Sequence, residues 1–214
     1  MKKYILIIFS LLIYSQCWAE TTLERAKPLL PILDNQINLY WPELFIRHIP
    51  AGQVEQESSW KPRATLKTER ELGRGLVQIT ITPRFNNFLT ATSMKPLKNW
   101  DWKNDPYNIK NQLTFLVLQD RSNFALNQKF MKNEEQCWKA SLVSYNAGYG
   151  RIQKRRQYAI AKGIPYNVWD GGLALAHGPL EDKLLYKRPL WVAVNEYPTI
   201  IFKKAEKYKP YMRK

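Results

Sequence analysis

Apolar positions along the chain change their period several times, and each change marks an element. From Asn108 onward, Ile109, Leu113, Leu116, Val117 and Phe124 fall at helical spacing and share one face. Glu134 to Asn146 repeats the pattern with Trp138, Leu142 and Tyr145 in register, and Ala147-Gly148 ends it. Gly150 to Lys162 predicts a further helix with a basic outer side. Upstream, Thr21 to Trp41 predicts a helix interrupted by Pro28 and Pro31, and Pro50 suits the first turn of a helix running to about Trp60. Pro62 and the charged run Lys67-Thr68-Glu69-Arg70-Glu71 predict a surface loop. Gly75 to Thr82, rich in β-branched residues, predicts a short strand or hairpin arm. Residues 163–189 carry glycine, proline and scattered aromatics and predict irregular structure, and a last helix is expected from about Pro198 to Tyr208. The expected fold class is mainly α (α+β): a single domain with a small β-hairpin or sheet element. No internal repeat, low-complexity tract or domain linker is visible.

The first nineteen residues have a different character. Met1-Lys2-Lys3 is basic, Tyr4 to Tyr14 is an uncharged apolar run, and Cys17 and Ala19 are small residues three and one positions before Glu20. This pattern predicts a secretory signal peptide at 1–19 and a mature domain at 20–214. The run is too short for a membrane span, which needs about 20 apolar residues. Tyr14 and Gln16 are bulky where a lipid-anchor motif wants small residues. The expected location is therefore periplasmic or secreted, with no transmembrane anchor after cleavage. Loss of Cys17 leaves Cys137 alone, so no intramolecular disulfide is expected and the fold must stand on its core.

Composition narrows the partners. The 214 residues hold 33 lysines and arginines against 18 acids, a formal charge of +15; removing Lys2 and Lys3, with no acid beside them, leaves +13. Such a chain is expected to meet an anionic partner, and export directs that expectation to an anionic cell wall rather than nucleic acid. Only His48 and His177 are present, and Cys137 lacks a CxxC partner, so neither a metal site nor a cofactor is expected.

The residue that carries chemistry is Glu57. In a helix starting at Pro50 it shares a face with Ala51 and Val54, whereas Glu55 points about 200° away, toward solvent. Desolvation favours the protonated form of a carboxyl, which is the form a general acid needs. Gly75-Leu76-Val77-Gln78 adds a glycine where a polymer could approach the backbone, beside an amide that donates and accepts. Ser144-Tyr145-Asn146-Ala147-Gly148 adds a phenol and an amide at a helix end.

Taken in order, Glu57-Ser58…Trp60…Pro62…Ala64, Gly75-Leu76-x-Gln78, Asp105-Pro106…Asn108-Ile109 and Tyr145-Asn146-Ala147-Gly148 resemble the soluble lytic transglycosylases of the SLT type, over about residues 45–160. The resemblance implies a lysozyme-like fold that binds a peptidoglycan glycan strand. It also implies cleavage of the β-1,4 bond between N-acetylmuramic acid and N-acetylglucosamine, with closure of the muramoyl O6 onto C1. Glu57 would be the single acid and base. Ser58, Gln78, Tyr145, Asn146 and, toward the C-terminus, Glu196 would bind substrate. The chain departs from the family pattern at Leu66, where a second serine is usual and Thr65 or Thr68 could serve. It departs again at Val77, at Ile200 in place of a tyrosine, and in three extra residues between Glu57 and Gln78. A monomer is expected, with a secretion, conjugation or other envelope machine as a candidate partner. Two other functions fit the residues. A muramidase would need a second carboxylate about 6.5–9.5 Å from the first, for which Glu69 or Glu71 is available. A non-catalytic basic module would bind wall polymer or nucleic acid through segments such as Lys187-Arg188-Pro189-Leu190-Trp191 and Tyr208-Lys209-Pro210-Tyr211.

Overall fold

A computed structural model describes residues 20–185 and 188–213. The expected signal segment, 1–19, lies outside the described residues. The fold is mainly α with a small antiparallel sheet. Helix α1 (Thr22–Ala26) opens on a reciprocal cap: the Thr21 hydroxyl accepts from the Glu24 amide, and the Glu24 carboxylate accepts from the Thr21 amide. Pro28, in the turn at 27–29, separates it from α2 (Leu30–Tyr40), and Pro31 sits in the first turn of α2, where its missing donor is tolerated. Helix α3 (Ile49–Ser58) carries Pro50 in its first turn, as expected. A short α4 (Asn87–Ser93), capped by Asn86, occupies a stretch with no marked periodicity. The long hairpin α5 (Ile109–Gln128) and α6 (Glu134–Ala147) follows, with Asn108 and Asn133 as N-caps. Gly148, at φ 83°, turns the chain directly into α7 (Tyr149–Lys162).

Two segments differ from the sequence expectation. Strands β1 (Thr65–Lys67), β2 (Leu72–Arg74) and β3 (Ile79–Ile81) pair in that order, with Leu66 opposite Gly73 and Gly73 opposite Thr80. The charged run therefore ends β1 at Lys67 and forms the β1–β2 turn at 68–71, and Gly75–Gln78 is the β2–β3 turn rather than a strand. Gly75 and Gln78 have φ of 79° and 47°, which breaks the pleat, and Leu76 and Val77 are both buried instead of alternating.

The last helix, α8 (Leu190–Ala205), begins well before Pro198 and carries that proline inside it. An interior proline costs roughly 3 kcal/mol. Burial of Val194, Tyr197 and Ile201 along one stripe offsets this, at about 1.5–3 kcal/mol for each large apolar side chain. Between α7 and α8, residues 163–185 are irregular but pinned. Wholly buried Arg155 donates to both Glu181 oxygens at 3.1 and 2.7 Å, to the Leu173 carbonyl and to Asn195. Leu184–Leu185 (β4) and Arg188–Pro189 (β5) pair as a second, two-stranded ribbon.

The main core joins α2, α3, α5 and α8 around Leu33, Ile37, Trp60, Leu116 and Ile201. A second cluster under α6 and α7 holds Ile152, Trp169 and Leu173, and Phe124 packs against both. Trp41, Phe124 and Trp138 form a triangle with centroids 5.3–5.6 Å apart. Helix α8 lies on α3 at close range. A Cβ on Gly52 would stand 2.7 Å from the Ile201 carbonyl oxygen and 2.8 Å from the Ala205 Cα.

The solvent-facing position expected for Glu55 is not what the fold adopts. Helix α3 is buried on nearly every side, because residues 206–211 continue past α8 as a 3₁₀ turn and cover its far face. Glu55 accepts from the Tyr208 hydroxyl at 2.5 Å and from Lys207 at 2.7 Å, and Trp60 Nε1 donates to the same tyrosine oxygen at 2.9 Å. Tyr208→Phe leaves the Trp60 N–H and one Glu55 oxygen without this partner. A loss of roughly 1–3 kcal/mol is expected, read as a lower urea midpoint at unchanged slope.

Candidate active site

Glu57 occupies the last turn of α3. The helix stops because Ser59 and Trp60 both adopt left-handed backbone, at φ 52° and 61°. Such residues cost of order 1 kcal/mol or more each and need support. Trp60 is wholly buried, and Arg25 Nε donates to the Ser59 carbonyl at 2.9 Å. The stop places the Glu57 carboxyl near the negative end of the helix, where a carboxylate is disfavoured.

One oxygen of Glu57 accepts a hydrogen bond from the Tyr197 hydroxyl of α8. Lys204 is near enough to act on it, but its ammonium donates to Gln56 at 2.8 Å. Burial dominates, the Tyr197 bond opposes it, Glu71 adds repulsion, and the carboxyl is raised from an ordinary 4.5 to about 7. Beneath it on α5 lies Asp120, wholly buried, with Gln53 Nε2 3.4 Å from its Oδ1. Burial first, and Glu57 as well, hold Asp120 well above the ordinary range. Tyr145 on α6 and Tyr197 are each raised well above the usual phenol value by burial and by Glu57.

The expected site residues sort unevenly around this carboxyl. Tyr145 is beside it and donates to the Val77 carbonyl at 2.8 Å, tying α6 to the β2–β3 turn. Gln78 folds back onto that turn, donating to the Gly75 carbonyl at 2.9 Å. The space left open by Gly75 holds the Gln112 amide, 1.9 Å from where a Cβ would stand, and not an approaching polymer. Ser58 is buried and donates to the Val54 carbonyl within its own helix at 3.1 Å. Asn146 is exposed in the last turn of α6. Thr65 bonds Tyr107 at 3.0 Å, and Thr68 accepts from the Arg70 and Glu71 amides in its turn, so neither hydroxyl is committed to Glu57.

Glu196 is not brought to Glu57. It is half-buried and accepts from Arg188 at 2.6 Å, while its neighbour Tyr197 makes the contact instead. One residue is about 100° on a helix, and the stripe Val194, Tyr197, Ile201, Ala205 turns the tyrosine inward and the glutamate out. That stripe was a readable signal once α8 starts at Leu190. Asp120 had one as well, as the lone acid in the series Leu113, Leu116, Val117, Asp120, Phe124.

A cavity of about 570 Å³ lies elsewhere, between α7 and residues 178–181, lined by Arg151, Lys154, Tyr158, Leu180 and Leu190 among others. Among the described residues its lining holds one acid, Glu181, which is bound to Arg151 and Arg155. Burial pushes the Cys137 thiol up to about 12, far from a nucleophile. Among the described residues no cluster of three or more metal-ligating side chains occurs. No protein-family model and no curated protein matches the chain. The resemblance drawn from its sequence rests on those short segments alone.

The raised Glu57 carboxyl has a signed consequence for stability. Between about pH 4.5 and about 7 the unfolded chain ionises this group and the folded chain does not, so stability falls across that window. Glu57→Gln is expected to remove this contribution and to be more stable than wild type above pH 7, by on the order of 2–3 kcal/mol. Urea unfolding of both proteins at several pH values measures it; a glutamine variant that is weaker at high pH would contradict it.

Proposed function

We propose that this protein is an exported lytic transglycosylase of peptidoglycan. The observation that carries the reading is one partly buried carboxyl, held by a tyrosine hydroxyl and raised to about 7, with the Tyr145 helix end and the Gly75–Gln78 turn beside it. At neutral pH a group of this kind is poised to give a proton and to take one back.

In the reaction, neutral Glu57 protonates the glycosidic oxygen as the C1–O4 bond breaks. The carboxylate that results accepts the O6 proton as the C1–O6 bond forms, and the cycle closes without water. Tyr197 supports the carboxylate stage, since a donor to the charged form stabilises it. The substrate carries its own nucleophile, an intramolecular advantage that reaches about 7–11 kcal/mol in favourable cases. The net positive charge favours encounter with an anionic wall.

A muramidase is the second reading, and Glu71 is the observation that favours it. This partly buried acid in the β1–β2 turn is near enough to raise Glu57, whereas Glu69 is exposed and has no such effect.

Digestion of purified peptidoglycan separates the readings by mass. Muramoyl ends lighter by one water are expected, with none from Glu57→Gln. Reducing ends as the main product would promote Glu71 to a base, and no cleavage would favour a binding module. Tyr197→Phe removes the donor that opposes burial, so Glu57 is pushed higher still. The alkaline fall of the pH–rate profile, near pH 7 in wild type, is expected to move upward, and kcat to drop roughly 10- to 100-fold from lost orientation.

A further inference from the structure

Helix α5 carries a row of polar side chains on the face it buries. Asp120, Asn123 and Asn127 recur at i, i+3 and i+7, and each is 3% exposed or less. Along this row and the facing side of α3, Gln53 Oε1, Asp120 Oδ2, Asn123 Nδ2 and Asn127 Oδ1 are buried without a hydrogen-bond partner. Buried polar atoms are rarely left so, and each asks for an explanation.

Two of the four belong to residues already in contact. Gln53 Nε2 faces Asp120 Oδ1 at 3.4 Å, and the remaining oxygen of each group is buried without a partner. Two acceptors cannot bond each other. One proton on Asp120 Oδ2 resolves both, with the acid O–H donating to the amide oxygen and the amide N–H donating to the acid carbonyl. A carboxylate would leave both atoms unpaired and place an uncompensated charge in the core. Among the described residues no lysine or arginine bonds Asp120. The titratable groups that face it are Glu57 on α3, Tyr145 on α6 and Tyr197 on α8, none of them a cation. Lys204 and Glu71 lie one step further out and act on Glu57.

We infer that Asp120 is a neutral acid paired with Gln53, and that this pair positions Glu57. Gln53 stands four residues before Glu57, one turn below it on the same helix face. The pair fastens that turn of α3 to α5, so the floor under the general acid is set by a side-chain bond across two helices. Its neutrality matters as much as the bond. A charged Asp120 would repel the Glu57 carboxylate and hold the acid protonated through the step in which it must act as base. The pair stands on geometry alone; its consequence for catalysis rests on the function proposed above.

The protonation state is tested in the full chain without substrate, by carbon-detected NMR of the Asp120 carboxyl from about pH 4 to about pH 8. A carboxyl that stays protonated well beyond the ordinary aspartate range is expected, and ionisation near pH 4 overturns the inference. The positioning role is tested in turnover. Asp120→Leu, which offers neither donor nor acceptor, is expected to lower kcat about tenfold or more with KM little changed. Asp120→Asn restores a neutral donor and acceptor. It is expected to recover most of that loss and to keep the alkaline limb of the pH–rate profile in place. An Asn variant whose limb moves to lower pH would mean that Asp120 is charged in wild type. A Leu variant with wild-type kcat would remove the positioning role. Absence of cleavage by wild type would defeat the proposed function while the NMR titration still decides the pair.

Discussion

The close approach of α8 to α3 is the constraint on which the rest of the structure depends. Gly52 permits it, since any side chain there would meet the backbone of Ile201 and Ala205. With the helices this near, the Tyr197 hydroxyl reaches the Glu57 carboxyl, and the apolar stripe of α8 closes the core over Val54 and Trp60. Beyond α8 the chain turns back along the far side of α3, so a helix of ten residues is enclosed from both directions.

Enclosure gives two glutamates of one helix opposite environments. Glu55 meets an ammonium and a phenol, Lys207 and Tyr208, and becomes part of the fastening of the C-terminus. Glu57 meets a phenol and, among the described residues, no bonded cation, beside the buried Asp120 and the Glu71 of the sheet turn. A charge is tolerated where it is paired and disfavoured where it is not. The same physics that stabilises the fold at one position raises the carboxyl at the other.

The polar row of α5 extends this arrangement inward. Asn127 bonds the Asn123 carbonyl and the hydroxyls of Ser141 and Ser144, joining α5 to α6 in the layer below Tyr145. Tyr145 in turn holds the β2–β3 turn through Val77. Helices α3, α5, α6 and α8 and the β2–β3 turn are thus joined by side-chain hydrogen bonds as well as by apolar packing. Directional bonds restrict geometry more tightly than burial does.

Much of this was legible in the chain. The periodicity of residues 108–162 specifies α5, α6 and α7, Pro28 splits α1 from α2, and Pro50 marks the first turn of α3, where Ala51 and Val54 are buried and Glu57 is half-buried. These are local properties: period, capping and φ restriction act within a few residues, so the order of residues states them directly. Other features were decided only by distant segments. Whether Pro198 starts a helix or sits inside one depends on what Val194, Tyr197 and Ile201 pack against. Whether Glu55 faces water depends on residues 206–211 returning over α3, and Gly75 serves Gln112 rather than a ligand because α5 lies beneath it. A helical pattern states which face is apolar but not how many faces are covered. That number, and with it the protonation of Glu57 and Asp120, is set by tertiary packing, because desolvation counts every neighbour in space and the sequence orders neighbours along one line.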